Sequence, residues 1–593
     1  MIKRVWSSLP NFALVEFTPG FNIVLADRTS DAEETESTNG LGKTTLLRVI
    51  HFCLGSDISK DKVVGHPNLK NATFGIDLTM GATLVQVERN TSNDRVVIVS
   101  NSAFEGVAIE HDYLDAGRSK LTLENWKLLL TLRYYGSAVA YSKSGPKFRD
   151  IARYLMRVGK DAYMDPQVSF RQQSGASRRL CTGFLLGLNW EKQAELQGDI
   201  TARDHVKVGA QVLASADAGS KTPSIGELEA DRVAIETAIR HKRDEVEHFN
   251  VREDYAQLED ELNEVDRRLH DLINENYSDK RLLDFYRRSA KELPEVDPSR
   301  PVEILKEAGA FFKEEGLRRL SEVAAFHSTV YKNRREFVAG EMQRLKQSIA
   351  SRGEKITTLS NQKTRVLGIL NSSGALETLI DLQRGYTELV AKREALAALL
   401  DERRKFQRRE DELTESIAHL RRVMRADLED RQASVDEARV LFAQFTEALY
   451  GRPGRLSVDV ARDGYSFSFS IDRQGSDGVD QMVVFCFDLT VATLWAKHQQ
   501  GLLVLMHDSA MFADVDPRQY KAALMLASQQ STLHGFQYVC CLNSGSLPVD
   551  RMGELNLQAS IRVRLNDRGP RGRLLGLNLP PVEKQRRTKK PKQ

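Results

Sequence analysis

A chain of 593 residues is too long to fold around one core and allows several domains. Its 28% charged and 7% aromatic residues give the charge-rich, aromatic-lean balance of chains with long exposed helices. Basic and acidic residues nearly cancel to a net charge of +3, so bulk charge selects no partner. The five cysteines (Cys53, Cys181, Cys486, Cys540, Cys541) lie in apolar surroundings without a C-x-x-C pair. They argue against a disulfide frame or a zinc site and suit a reducing cytoplasm. The opening MIKRVWSSLP lacks the apolar stretch of a signal peptide, and no apolar run approaches the roughly 20 residues of a membrane span. A cytoplasmic protein with no membrane partner is expected.

Two strand-like runs, around Arg4–Trp6 and Phe12–Phe17, lead to a turn at Pro19-Gly20. Phe21–Leu25 then reads as a short apolar strand and Thr45–Leu54 as the first turns of an apolar helix. Between them Asn39-Gly40-Leu41-Gly42-Lys43-Thr44 forms a glycine-rich turn feeding a helix N-terminus. Such a turn, continued by Thr45, is expected to bind a triphosphate, with backbone N–H groups pointing inward and the helix dipole adding positive potential. Lys43 would reach the β- and γ-phosphates, and the Thr44 hydroxyl would ligate Mg²⁺. The full pattern G-x-x-x-x-G-K-[ST] asks for glycine at position 37, where this chain has Ser37. Asp27, Asp31, Glu33, Glu34 and Glu36 cannot face phosphates without repulsion, so a solvated bulge is expected there.

Ala72–Thr79 and Thr83–Arg89 alternate apolar and polar residues across Met80-Gly81, a hairpin, and Arg95–Ser100 adds a third strand. Leu121–Gly187 turns helical. From about Ile225 the composition changes. Tyr255, Leu258, Leu262, Val265, Leu269 and Leu272 step by 3, 4, 3, 4, 3, the a/d seam of a coiled coil. Prolines between Leu293 and Pro301 break the helix, and helical character returns through Phe326–Leu370. After a second break at Asn371–Gly374, Leu382, Tyr386, Leu389 and then Leu413, Ile417, Leu420, Met424, Leu428 restore the heptad steps. An apolar seam must be buried by a partner helix. The simplest arrangement pairs residues before 293 antiparallel with those after 374; pairing between chains is the alternative.

Past Gly451, Leu456–Val460 and Tyr465–Ile471 read as a hairpin, and Gly475–Lys497 as a loop feeding an apolar helix. Leu502–Met506 is an unbroken buried-strand run ending in His507-Asp508-Ser509, and Phe536–Leu542 is a second. Glu583–Gln593 is a basic tail, expected to be disordered. Nucleotide hydrolysis needs a carboxylate at the end of a buried strand near the phosphates. With Asp508 in the first acid position, Ser509 replaces the second acid and hydrolysis is slow. With His507 in the first position, Asp508 is the acid that activates water. The spacing to Asp514 favours the second arrangement; the oxygen preference of Mg²⁺ favours the first, with Asp508 on the metal side.

Ser476-x-Gly478-x-x-Gln481 opens an apolar helix shortly before that strand. An N-terminal P-loop, a long central coiled coil and a C-terminal strand with its carboxylate together resemble the layout of SMC-like ABC ATPases (SMC, RecN and SbcC-type proteins). The Ser476–Gln481 stretch looks like their S-G-G-x-x-Q signature, with Asp477 for the middle glycine. Further departures are the missing acid pair, Asn543 rather than histidine after the last strand, and no clear Q-loop glutamine beyond Gln172 or Gln173. The order of N-G-x-G-K-T, Phe326-His327, Asn333-Arg334 and His507-Asp508-Ser509 is similar to small SMC-like ATPases of bacterial ABC-three-component and Lamassu-like defence systems. A zinc hook of the SbcC type is excluded, because no cysteine lies between Cys181 and Cys486.

The resemblance implies an α/β P-loop head of ABC type, assembled from N- and C-terminal lobes, with an inserted antiparallel coiled-coil hairpin. The expected domains are 1–223 and 441–580 for the head, 224–440 for the hairpin with its apex near 293–373, and 581–593 for the tail. It implies ATP and Mg²⁺ as cofactors and a homodimer closed through ATP-bound heads, where Ser476 and Gly478 of one chain meet the P-loop of the other. It also implies DNA and further protein subunits, an effector among them, as partners. The leading expectation is an ATPase that engages or senses DNA. The runner-up is a slow, ATP-gated scaffold that holds a partner such as a nuclease. Lys43 and Thr44 argue against a purely structural coiled-coil protein.

Overall fold

The computed structural model describes residues 1–27, 40–58, 61, 63–115, 117–215, 223–249, 256–292, 314–370, 375–471, 475–546 and 557–580. Several sequence expectations lie outside them: Ser37, Asn39 and the carboxylates from Asp31 to Glu36, the breaks at 293–301 and 371–374, and the basic tail. The side chains of Phe326, His327, Asn333 and Arg334 are likewise outside the description. The chain divides into two compact units. One consists mainly of Met1–Gly198 with Ala418–Gln593, the other of Asp199–Phe311 with Leu320–Ile417.

In the first unit the described strands form two large sheets and a hairpin. The antiparallel sheet contains β1 (Ile2–Ser7), β2 (Val15–Glu16), β4 (Thr73–Met80), β5 (Thr83–Asn90), β6 (Val96–Ser100), β7 (Asp112–Asp115) and β8 (Arg118–Thr122), in the order β2-β1-β4-β5-β6-β8-β7. Its alternating sequence puts Val85 and Val87 on the buried face while Leu84 and Gln86 point away. The parallel sheet contains β3 (Gly20–Asp27), β9 (Met156–Arg157), β12 (Val504–His507), β13 (Gln537–Asn543) and β14 (Ile561–Asn566), in the order β14-β3-β13-β12-β9. Here the runs are unbroken and apolar because both faces are covered. Gln537, fully buried, ties the sheets together: its Oε1 accepts the Ile2 N–H at 3.0 Å and its Nε2 donates to the Ile2 carbonyl at 2.8 Å. β10 (Arg455–Ala461) and β11 (Gly464–Ser470) make the hairpin read from the sequence.

Helix α1 (Lys43–Cys53) follows β3, and α2 (Leu123–Ala140), α3 (Phe148–Leu155), α4 (Gly175–Leu185) and α5 (Trp190–Ser215) complete the N-terminal part. The long helices α6 (Ile225–Glu247), α7 (Ala256–Glu292), α8 (Glu314–Leu370) and α9 (Ala375–Asp430) come next, then α10 (Gln432–Tyr450), α11 (Asp477–Lys497) and α12 (Pro517–His534). Every residue of α11 from Gln481 to Ala496 is buried, so this helix is apolar on all sides. At 21 residues it is long and apolar enough to cross a membrane by length and composition, contrary to the expectation that no run approached that length. Its burial between other elements explains the composition: 89% of the qualifying window is covered by protein.

In the second unit, the a/d residues of α7 are buried, Leu262 at 1% and Val265 at 5% exposure. Their partner differs from the one expected. Asp266 is paired with Lys363 at 2.5 Å, Arg352 with Asp279, and Asn276 Nδ2 donates to the Ile349 carbonyl at 3.4 Å. The numbers rise on α7 as they fall on α8, so α7 packs antiparallel to α8; it also meets residues after 374, where Ile380 packs on the Leu262 cluster and Thr387 bonds His270, but there the numbers rise together. The reason is visible in α8, where Val338, Leu345, Leu359 and Val366 recur at multiples of seven and supply a second seam. The expected antiparallel pairing of residues before 293 with residues after 374 is seen for the earlier helices: Arg404 pairs with Glu229, Lys207 with Glu410 at 3.4 Å, and Ser416 Oγ donates to Asp199 at 2.6 Å. Cysteines introduced at the exposed Glu261 and Gln362, whose side chains are 3.5 Å apart, are expected to crosslink within one chain on mild oxidation. A pair at Glu261 and Glu415 is expected not to, and non-reducing electrophoresis reads the difference.

Candidate functional site

The loop before α1 is shaped by a segment more than 500 residues away. Gly40 and Gly42 have φ of 89° and 116°, a left-handed conformation that side chains disfavour. A Cβ on Gly42 would come within 2.4 Å of Leu574 Cβ. The Leu574 N–H donates to the Leu41 carbonyl at 2.9 Å, so the loop is held as well as crowded. No acidic residue occupies the first turn of α1, where the positive end of its dipole lies. Thr45 is half-buried in that turn, and Lys43 is 6% exposed. Burial lowers the Lys43 pKa, with Cys541 and Asp508 acting in the opposite direction. The other end of α1 is equally fixed. The Arg89 guanidinium stacks 4.0 Å from the Phe52 ring centroid and donates to the Ser56 carbonyl at 2.8 Å, while Trp126 Nε1 donates to the Cys53 carbonyl at 2.9 Å.

Asp508 directly follows β12. Its Oδ2 accepts the Thr44 hydroxyl at 2.7 Å, and its Oδ1 accepts the Ser509 N–H at 2.8 Å. The Ser509 hydroxyl adds a longer contact of 3.4 Å to the same oxygen. A threonine hydroxyl and a carboxylate meeting at a helix N-terminus are two hard oxygen donors. They fit a Mg²⁺ whose other positions are filled by phosphate and water. Among the described residues no group of three or more His, Cys, Asp or Glu could hold a metal alone.

His507 is turned elsewhere. It is fully buried, with Nε2 3.2 Å from Asp488 Oδ2 and Nδ1 3.0 Å from the Tyr538 hydroxyl. Burial lowers its pKa, and Asp488 partly offsets this. A neutral ring that donates from Nε2 and accepts at Nδ1 satisfies both contacts. Asp488 also binds Arg157 through two hydrogen bonds of 2.6 and 2.8 Å. That ion pair is completely buried, and Arg157 spends its remaining N–H groups on the carbonyls of Ala162, Pro166 and Val168. So of the adjacent pair, Asp508 meets the loop and His507 meets α11.

Ser476 is exposed at the start of α11 and makes no cap bond to it. Gly478 lies against the Asp514 carbonyl, which a Cβ would approach to 2.2 Å, and Gln481 Nε2 donates to Asp514 Oδ2 at 3.4 Å. These contacts run to the loop after Asp508 and not to Lys43 or Thr44. Gln173 is committed internally, accepting the Ser169 N–H at 3.0 Å and donating to the Tyr154 hydroxyl at 2.9 Å. Asn543 ends β13 opposite Ala26 of β3. Sequence reasoning missed Arg157, Asp488 and Tyr163. Asp488 offered a signal, being the one charge within Met482–Trp495, because a lone carboxylate in an all-apolar helix must be paired.

Residues 445–579 match a family model described as an uncharacterised protein conserved in bacteria (DUF2326). That span carries Ser476 and Asp508 but not Lys43. The chain is 22% identical over 577 residues to the uncharacterized protein YydD of Bacillus subtilis (strain 168), covering 92% of this chain and 93% of that one. Among solved structures, it is similar to an Smc head domain with a coiled coil and joint from Pyrococcus yayanosii, at 14% identity and a TM-score of 0.37, covering 95% of this chain and 94% of the other. A second, from Pyrococcus furiosus, is an Smc head domain with an extended coiled coil bound to the C-terminal domain of ScpA, at 11% identity and a TM-score of 0.32, covering 95% and 92%.

Replacing Arg157 by Met would strand the Asp488 carboxylate in the core. Breaking a fully buried pair from one side costs about 3–5 kcal/mol. Arg157→Met is therefore expected to lower the denaturation midpoint strongly, whereas removing the exposed partner in Arg118→Met should change it little.

Proposed function

We propose that this chain binds ATP with Mg²⁺ at the Gly40–Thr45 loop and hydrolyses it. The observation that carries the reading is the 2.7 Å contact between Thr44 Oγ1 and Asp508 Oδ2. It joins a phosphate-type loop to a strand-end carboxylate across a sequence separation of 464 residues. Thr44 and Asp508 would hold the metal, which on binding neutralises phosphate charge and polarises the phosphorus–oxygen bonds. Lys43 contributes a charge-assisted contact to phosphate oxygens, and Gly40, Leu41 and Gly42 present their backbone. Ser509, a hydroxyl where a second acid would stand, supports slow turnover. That favours, as a second reading, an ATP-gated scaffold that holds and releases a protein effector.

The exposed Ser476 hydroxyl and the N-terminus of α11 are suitable anion donors for a second copy of the chain, so hydrolysis is proposed to occur between two dimerised heads. The motif order shared with SMC-like ATPases extends the proposal to DNA as the polymer engaged, within a bacterial defence or DNA-repair complex. The head is proposed to be built from both ends of the chain, with the long helices inserted between them.

Lys43→Ala is expected to abolish ATP binding in a calorimetric titration while leaving the circular-dichroism spectrum intact; unchanged affinity overturns the assignment. Asp508→Asn should retain ATP binding and lose at least tenfold in steady-state hydrolysis, a rate also to be read with and without linear duplex DNA. For the shared site, Ser476→Arg and Lys43→Ala should each be inactive, yet regain part of the activity when mixed, because one site of the mixed dimer keeps both elements. Normal turnover by Ser476→Arg alone would remove Ser476 from the site.

A further inference from the structure

Asp508 stands one residue beyond β12, whose pairing with β13 ends at His507 opposite Cys540. Its backbone N–H therefore has no neighbouring strand to bind. It is held instead by Tyr163, at the end of the turn Lys160–Tyr163: the Asp508 N–H donates to the Tyr163 hydroxyl at 2.8 Å. The same hydroxyl donates to the Arg157 carbonyl at 2.8 Å. Tyr163 is 1% exposed. A phenol hydroxyl has one donor and free acceptor positions, so it can accept from Asp508 while donating to Arg157. The loop that carries Tyr163 is itself wrapped on the Arg157 guanidinium through the carbonyls of Ala162, Pro166 and Val168, at 2.7–2.8 Å. Arg157 is anchored to Asp488 of α11.

With its N–H fixed by Tyr163 and its Oδ1 by the Ser509 N–H, Asp508 presents Oδ2 to Thr44. We propose that Tyr163 is a positioning residue that sets the Asp508 carboxylate against Thr44 for Mg²⁺ and ATP. This rests on the function proposed above and adds a residue that no sequence motif marks. The phenol acts through Asp508 and contacts neither metal nor nucleotide. Groups that orient a metal ligand in this way are worth about 10–100-fold in metal affinity.

Tyr163→Phe keeps the ring, which lies edge-on to His507, and removes only the oxygen. Tyr538→Phe is the control, since it deletes a hydroxyl from the same buried cluster but one bonded to His507 instead of Asp508. Mg²⁺ is titrated into full-length protein with a fluorescent ATP analogue, alongside steady-state kinetics and thermal unfolding. Tyr163→Phe is expected to bind the analogue normally without Mg²⁺, to need about tenfold more Mg²⁺, and to lose about tenfold in kcat with KM for ATP within twofold. Tyr538→Phe is expected to keep the wild-type Mg²⁺ dependence even if its unfolding midpoint falls as far. Wild-type Mg²⁺ dependence in Tyr163→Phe, or the same loss in Tyr538→Phe, overturns the positioning role and leaves the proposed function standing. A wild-type protein that binds no ATP analogue with Mg²⁺ overturns both.

Discussion

Parallel pairing of β3 with β13 is the contact on which the rest of the first unit depends. Its rungs run from Gly20 opposite Gln537 to Ala26 opposite Asn543, and they join the two ends of the chain. Closing a loop of some 500 residues costs about 5 kcal/mol in chain entropy. A hydrogen bond to a charged group returns about 1.5–3 kcal/mol, so the Thr44–Asp508 bond cannot assemble the site. The sheet does so, by burying apolar runs such as Phe21–Leu25 and Tyr538–Leu542 on both faces. The polar contact then inherits its geometry from strands that are already fixed.

Helix α1 shows how firmly that geometry is imposed. Its N-terminal loop is tied to Leu574, its first turn to Asp508, and its C-terminal carbonyls to Arg89 and Trp126. A cation at the negative end of the helix complements the dipole and leaves the opposite end positive, as an anion site needs. On the far side of β12 a second polar cluster, Arg157–Asp488–His507, is sealed from water. One strand end thus separates two environments: Asp508 faces the loop, and His507 completes a buried structural network.

The alternating and unbroken apolar runs made most strands legible in the sequence, and the glycine-rich loop and the strand-end carboxylate that meet in the candidate site were both marked there. The choice between His507 and Asp508 was not legible, because it depends on which face of the sheet each residue meets. The antiparallel pairing across the break at 374 holds for the earlier helices, but the antiparallel partner of α7 was not legible. Its own seam is regular, while the matching repeat from Val338 to Val366 is interrupted by Arg352. Tyr163 carried no local signal at all, since its contact arises from a fold that sets it beside a residue 345 positions later.

The crowding of Gly42 by Leu574 has a consequence for biosynthesis. The loop leaves the ribosome early, but the side chain that shapes it follows more than 500 residues later. At about 5–20 residues per second, this delay lasts roughly half a minute to nearly two minutes. For most of it β3 lacks both β13 and β14, its two partners in the finished sheet, which come shortly before Leu574 in the chain. Until they arrive β3 has no strand on either side in this sheet, the kind of unpaired apolar edge that is prone to wrong pairing during synthesis. Faster translation of the long helices would shorten this exposure without changing a single contact in the folded protein.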